Sequence, residues 1–195
     1  MRIAFIAWGS VVWNPRDLSY HETWVPSKLE LPVEFSRKSM DGRLTLVVDF
    51  DAGTRLPMYV ARSTRTEMQD AIADLRDREQ TIHARIGWFV KSTGDKSSAR
   101  QHDSKLDHAA HDYVVPLVKT WLDTTDYDAA VWTALSANYE KRLGTRFSVA
   151  KAVDHLLGLT GTERRLAYDY ISRAPDLIQT SLRKQWNGHS GTKAV

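Results

Sequence analysis

The period of the hydrophobic pattern changes part-way along this chain, and that change limits the folds open to it. Up to about residue 91 apolar residues recur mainly at every second position. Residues 2–7, 28–35, 43–50, 57–62 and 82–91 each read as a strand bounded by breakers. Asp41-Gly42 marks a tight hairpin between the second and third of these, and Pro32 pushes the second towards an edge or a bulge. Residues 92–108, STGDKSSARQHDSKLDH, are polar and breaker-rich and read as a surface loop. Past them the spacing turns helical over 113–122, 149–157 and 162–174, with AAVWT at 129–133 as a late strand. Strands first and helices later predict an α+β architecture rather than a doubly wound sheet.

A chain of 195 residues with 42% hydrophobic content is long enough to bury a sizeable core in one domain. That domain is expected over residues 1–186, with a core at about 1–91, a helical extension at about 105–186 and a disordered tail at 187–195. The 27 basic and 24 acidic residues nearly balance, so nothing in the charge demands a nucleic-acid partner. There are no cysteines, which excludes disulfides, thiolate metal sites and cysteine nucleophiles. No stretch approaches about 18 continuous apolar residues, and Gly9 and Ser10 interrupt the run after Arg2 before any cleavage pattern appears. The expectation is a cytoplasmic protein without a membrane partner.

One helix interrupts the strand-rich half, at residues 64–80, with Ser63, Thr64 or Thr66 as its N-cap. On a helical wheel Met68, Ala71, Ile72 and Leu75 form one apolar stripe, and four residues further the stripe reaches Glu79. The remaining charges, Arg76 and Arg78 among them, fall beside the stripe or opposite it. A carboxylate thus points towards the core at the carboxy-terminal end of a helix, where burial and the helix dipole both act against negative charge. Proteins prepare proton-transferring carboxylates in this way. The alternative is that the core ends at Leu75 and Glu79 is an ion-pair partner of Arg76 or Arg78.

The first strand runs into W-G-S-V-V-W-N-P at residues 8–15. This stretch resembles the Y-G-S-L loop of the gamma-glutamylcyclotransferase-like superfamily, whose ChaC-type members often read Y-G-S-L-x-W-x-P. L-R-D-R-E at 75–79 is similar to that branch's L-x-x-R-E segment, and S-R-K-S-M-D-G-R-L-T-L-V-V-D lies where the family has an Arg/Ser strand, a hairpin and the next strand. The resemblance covers about residues 3–90. It departs at Trp8 for tyrosine, at Val11 for leucine, and at Gln80-Thr81 after the glutamate, positions that bear on substrate more than on fold.

The resemblance implies a small curved mixed sheet or barrel with a helical C-terminal extension. It also implies a lyase- or acyl-transfer-type enzyme, without metal or cofactor, that cyclises a γ-glutamyl amide to 5-oxoproline and frees an amine. Glu79 would serve as general base and then acid. Trp8, Gly9, Ser10 and Val11 would bind substrate, their backbone N–H groups holding its carboxylate or developing oxyanion. Gly9 would let that backbone approach the ligand closely, and Arg37 could grip a carboxylate bidentately. A related acyl transferase or amide hydrolase retaining Glu79, or a non-catalytic small-molecule binding protein, are the alternatives. Ser10 lacks the G-x-S-x-G elbow of a serine nucleophile, since Trp8 and Val12 hold the glycine positions. His102, His108 and His111 read as loop residues without zinc-site spacing. Lys141, Arg142, Arg146 and Lys151 read as a solvated face, and Trp121 and Trp132 as core.

Overall fold

A computed structural model describes residues 1–21, 23–97 and 105–190. Strands β1 (Ile3–Ala7), β2 (Val25–Lys38), β3 (Leu44–Val48), β4 (Thr54–Arg62), β5 (Ile86–Val90) and β6 (Ala129–Thr133) make one mixed sheet in the order β3-β2-β4-β1-β6-β5. β1 runs antiparallel to β4 and parallel to β6, with Ile6 opposite Val60 on one side and Trp132 on the other. Among the strands β3 pairs only with β2 and β5 only with β6, beyond isolated bridges from Val48 to Ser136 and from Phe89 to Lys96, so the sheet is open and the barrel alternative is not adopted.

All five residues of β1 are buried, as a strand covered on both faces must be. Ile3, Phe5 and Ala7 point to one face, where they meet Met68, Ala71, Ile72 and Leu75 of α2 (Met68–Glu79). Ala4, Ile6 and Trp8 point to the other. There they join a core contributed by α3 (Lys105–Leu122), α5 (Val149–Gly158), α6 (Gly161–Arg173) and α7 (Ser181–Ser190). The second half of the chain is therefore no appendage to a core at 1–91. Its helices close one face of the sheet and its strand β6 lies inside the sheet. Trp121 and Trp132 are both buried, and Gly87 of β5 makes room for Trp132, whose Nε1 lies 2.2 Å from where a Cβ would stand. Among the described residues no helix is long and apolar enough to cross a membrane.

Other expectations change for identifiable reasons. β2 is internal, and Pro32 is tolerated because the pairing with β3 stops at Val33; its carbonyl accepts from Asp49 N–H in the turn beyond. The irregularities in β2 lie elsewhere, between Pro26 and Glu30 and between Glu34 and Arg37. The N-cap of α2 is Glu67, without a side-chain cap bond, while Ser63 Oγ donates to Ser19 O and accepts from Arg65 N–H in the turn before it. The strand expected at 82–91 begins with a 3-10 turn, His83–Arg85. Residues 10–13 form a helical turn, α1 (Ser10–Trp13), inside the expected loop. Helix α3 starts at Lys105, so the backbone at His108 and His111 is helical, while His102 lies outside the described residues. α4 (Tyr139–Leu143) and α7 carried no clear sequence signal; α7 makes residues 187–190 helical rather than a loose tail, and 191–195 lie outside the described residues. Lys141, Arg142, Arg146 and Lys151 are exposed.

The start of α7 is held by a carboxylate from the sheet. Glu34 of β2 is fully buried; its Oε1 accepts from Phe35 N–H at 2.8 Å and its Oε2 from Leu182 N–H at 3.2 Å. Burial raises its pKa above the ordinary value of 4.5, opposed by hydrogen bonds from Thr180, Phe35, Leu182 and Ser181.

Candidate active site

A cavity of about 390 Å³ opens beside the carboxyl ends of β1 and β6, the one parallel pair in the sheet. In open sheets this is where chain segments diverge and leave a crevice. Trp8, Gly9, Ser10, Val11, Arg37 and Glu79 all line it. Three separate elements deliver them: the turn after β1, the end of α2 and the end of β2.

The Glu79 side chain is 15% exposed, at the point where the apolar stripe of α2 leaves the core. Its Oε1 accepts from Arg78 Nη1 at 2.7 Å and from Thr133 Oγ1, at the end of β6, at 3.1 Å. Oε2 takes no hydrogen bond among the described residues. Arg78 is the surprise. On the wheel it falls beside the stripe, yet its side chain is 4% exposed. Its Nη2 donates to Asn14 O at 2.6 Å and to Ser10 Oγ at 3.2 Å. One guanidinium therefore fastens the end of α2 to the turn after β1 and holds the carboxylate against both. The only trace of this in the sequence is the arginine preceding glutamate in L-R-D-R-E.

The turn residues play different parts. Trp8 is buried and spends its Nε1–H on Leu46 O at 3.3 Å, opposite the irregular stretch of β2. Gly9 has φ −118°, which any residue can adopt. What requires a glycine is space: a Cβ there would stand 3.2 Å from the Tyr170 hydroxyl and 3.7 Å from Leu46 Cβ. Tyr170 of α6 makes this close approach. Val11 packs into the core on the α2 face, and Pro15 follows the end of α1.

Arg37 donates from Nη1 to Ser136 O at 2.7 Å, and the same wall carries Ser39, Arg43 and Thr45. Arg43 is paired with Asp41 at 2.8 Å and lies over the Tyr170 ring, 5.4 Å from its centroid. Burial works against the Asp41 charge, but hydrogen bonds from Arg43 and Ser39 hold its pKa below the ordinary carboxylate value. Arg16 and Arg173 complete the rim; of the five guanidinium groups lining the cavity, Arg43, Arg78 and Arg173 are paired with Asp41, Glu79 and Asp169. Arg16 and Gln80 are the two described non-glycine residues with left-handed backbone, φ 54° and 51°, and both line this cavity. Strained backbone gathers where a site holds it in place; here Arg16 Nη1 donates to Arg78 O at 3.0 Å, at the end of α2.

Among the described residues no three His, Cys, Asp or Glu side chains converge as metal ligands would. Compared with known proteins, the chain matches no family model, no curated protein and no solved structure.

Proposed function

We propose that this cavity is the active site of a gamma-glutamylcyclotransferase-like enzyme, which converts a γ-glutamyl amide into 5-oxoproline and a free amine. The observation that carries the reading is the meeting of Glu79 with the Gly9-Ser10 turn across one arginine, in a cavity rich in positive charge. The substrate's α-amine attacks its own side-chain carbonyl, so the protein needs only to fold the substrate and move protons. Glu79 Oε2 takes the proton from the α-ammonium while Oε1 stays fixed by Arg78 and Thr133. The new C–N bond closes a five-membered ring and the carbonyl π pair moves onto oxygen. That pair then returns, the old C–N bond breaks, and Glu79 hands its proton to the departing nitrogen; the freed carboxylate then takes the second proton from the ring nitrogen and passes it to the amine, which leaves as an ammonium. The excess of guanidinium groups favours a substrate bearing carboxylate charge.

A panel of γ-glutamyl amides and peptides, assayed for 5-oxoproline, tests this. Release of 5-oxoproline stoichiometric with amine supports it. Free glutamate or a glutamyl conjugate instead would point to amide hydrolysis or acyl transfer. Saturable binding without any product would refute the enzyme reading in favour of a small-molecule binding protein.

A further inference from the structure

Tyr170 comes from α6, far along the chain from Glu79, yet it lines the same cavity and is only 7% exposed. Its ring is fixed on three sides. Trp13 meets it edge-on at 5.2 Å and Phe35 at 6.2 Å between centroids, and the Arg43 guanidinium lies over its face. Its hydroxyl sits against Gly9, in the space that a side chain there would need. The Leu46 backbone and the Ser10 side chain lie beside the phenol oxygen. Ser10 Oγ is itself engaged as the acceptor of Arg78 Nη2, and the phenol has a proton to donate towards the cavity it lines. Burial first, and the nearby Glu79 charge second, raise the Tyr170 pKa above its ordinary value of 10, so the hydroxyl keeps that proton at neutral pH.

Resting on the cyclotransferase reading, we propose that Tyr170 is a catalytic hydrogen-bond donor, stabilising the negative charge that forms on the γ-carbonyl oxygen as the amine attacks. A core tyrosine with a purely packing role has no need to bring its hydroxyl to the cavity wall. Here the hydroxyl lies beside Ser10, which Arg78 ties to the Glu79 carboxylate. Their mutual placement is thus set before substrate arrives, which is the condition under which such a donor acts on the rate.

Tyr170→Phe keeps the ring contacts with Trp13, Phe35 and Arg43 and removes only the hydroxyl. With the best substrate of the γ-glutamyl panel, kcat is expected to fall about 10²-fold, the loss typical of one oxyanion donor. KM, the affinity for 5-oxoproline by calorimetry, and Tm should stay within experimental scatter of the wild type. Ser10→Ala, which leaves the phenol but removes one group orienting it, should lose about tenfold in kcat. A structural role would move KM, product affinity and Tm together instead, and that pattern overturns the proposal. Unchanged kcat in Tyr170→Phe alongside an inactive Glu79→Gln would overturn it while leaving the cyclotransferase reading intact. No 5-oxoproline from the wild type on any substrate removes both.

Discussion

Replacing Glu79 by glutamine separates its two jobs, because the amide keeps the shape and one acceptor but can no longer carry a proton. The structure sets the cost. Glu79 Oε1 takes bonds from Arg78 Nη1 at 2.7 Å and Thr133 Oγ1 at 3.1 Å, and a glutamine Oε1 can accept both. What is lost is the charge opposite a guanidinium whose side chain is 4% exposed. Charged hydrogen bonds contribute about 1.5–3 kcal/mol and neutral ones about 0.5–1.5, so the change should destabilise the protein by about 1 kcal/mol. For a chain of this size that lowers Tm by about 2–4 °C. A wheel on which Glu79 simply ends an apolar stripe would give the opposite sign, since a neutral amide is easier to bury. Turnover should fall about 10²- to 10⁴-fold, the range for a general acid–base group. Thermal unfolding and 5-oxoproline release, measured on the same preparation, check both numbers. A lowered Tm with turnover retained would refute the mechanism and leave Glu79 as the ion-pair partner of Arg78.

Gly9→Ala brings a Cβ to 3.2 Å from the Tyr170 hydroxyl, which the packed ring cannot easily yield; we expect a loss of about 1–3 kcal/mol by chemical denaturation and a sharp fall in turnover. Equal stability and activity would mean that α6 moves freely at this point. Gly87→Ala places a Cβ 2.2 Å from Nε1 of the buried Trp132, so it should cost about 3 kcal/mol or more and leave Trp132 fluorescence red-shifted; an unchanged spectrum would contradict the packing of β5 on β6. Glu34 makes stability depend on pH in a direction unusual for a carboxylate. Its pKa is raised on folding from 4.5, so its contribution is complete below that value and is lost as pH rises through the folded-state pKa. Urea midpoints of the wild type and Glu34→Gln, compared from pH 4 upward, should therefore shift against the wild type as pH increases, and the reverse trend would show that the buried carboxylate is stabilised as an ion.

What the sequence makes legible is what local pattern decides. The strands at 3–7 and 129–133 stand out because both are short apolar runs covered on both faces, and the stripe of α2 is where the wheel puts it. The Asp41-Gly42 turn is legible because Gly42, at φ 83°, needs the left-handed region. The candidate site is legible only in part. Glu79 can be found by extending a stripe, but Arg78 cannot, because an arginine is buried here by partners from another element, Ser10 and Asn14. Tyr170 is further out of reach: its place is set by the docking of α6 against the turn after β1, and nothing near residue 170 announces it. The same holds for the start of α7, which is capped by Glu34 from a strand almost the length of the chain away.

The sheet order also dictates a sequence of assembly. β1, β2, β3 and β4 can pair among themselves as soon as they exist, but β5 has no neighbouring strand other than β6. During synthesis β5 has only the segment at 95–97 to bond with until residues 129–133 have emerged, and β1 meanwhile offers a bare edge on the side that β6 will occupy. Such an edge is a template for pairing with another chain, and closing it depends on a contact between residues 3–6 and 129–132, which lie far apart in sequence and so find each other slowly. Thr133, the hydroxyl that steadies Glu79, is the last residue of that late strand. Glu79 thus acquires its final partner only when the sheet is complete, and a nascent chain cut short before β6 would carry it without the wall that holds it.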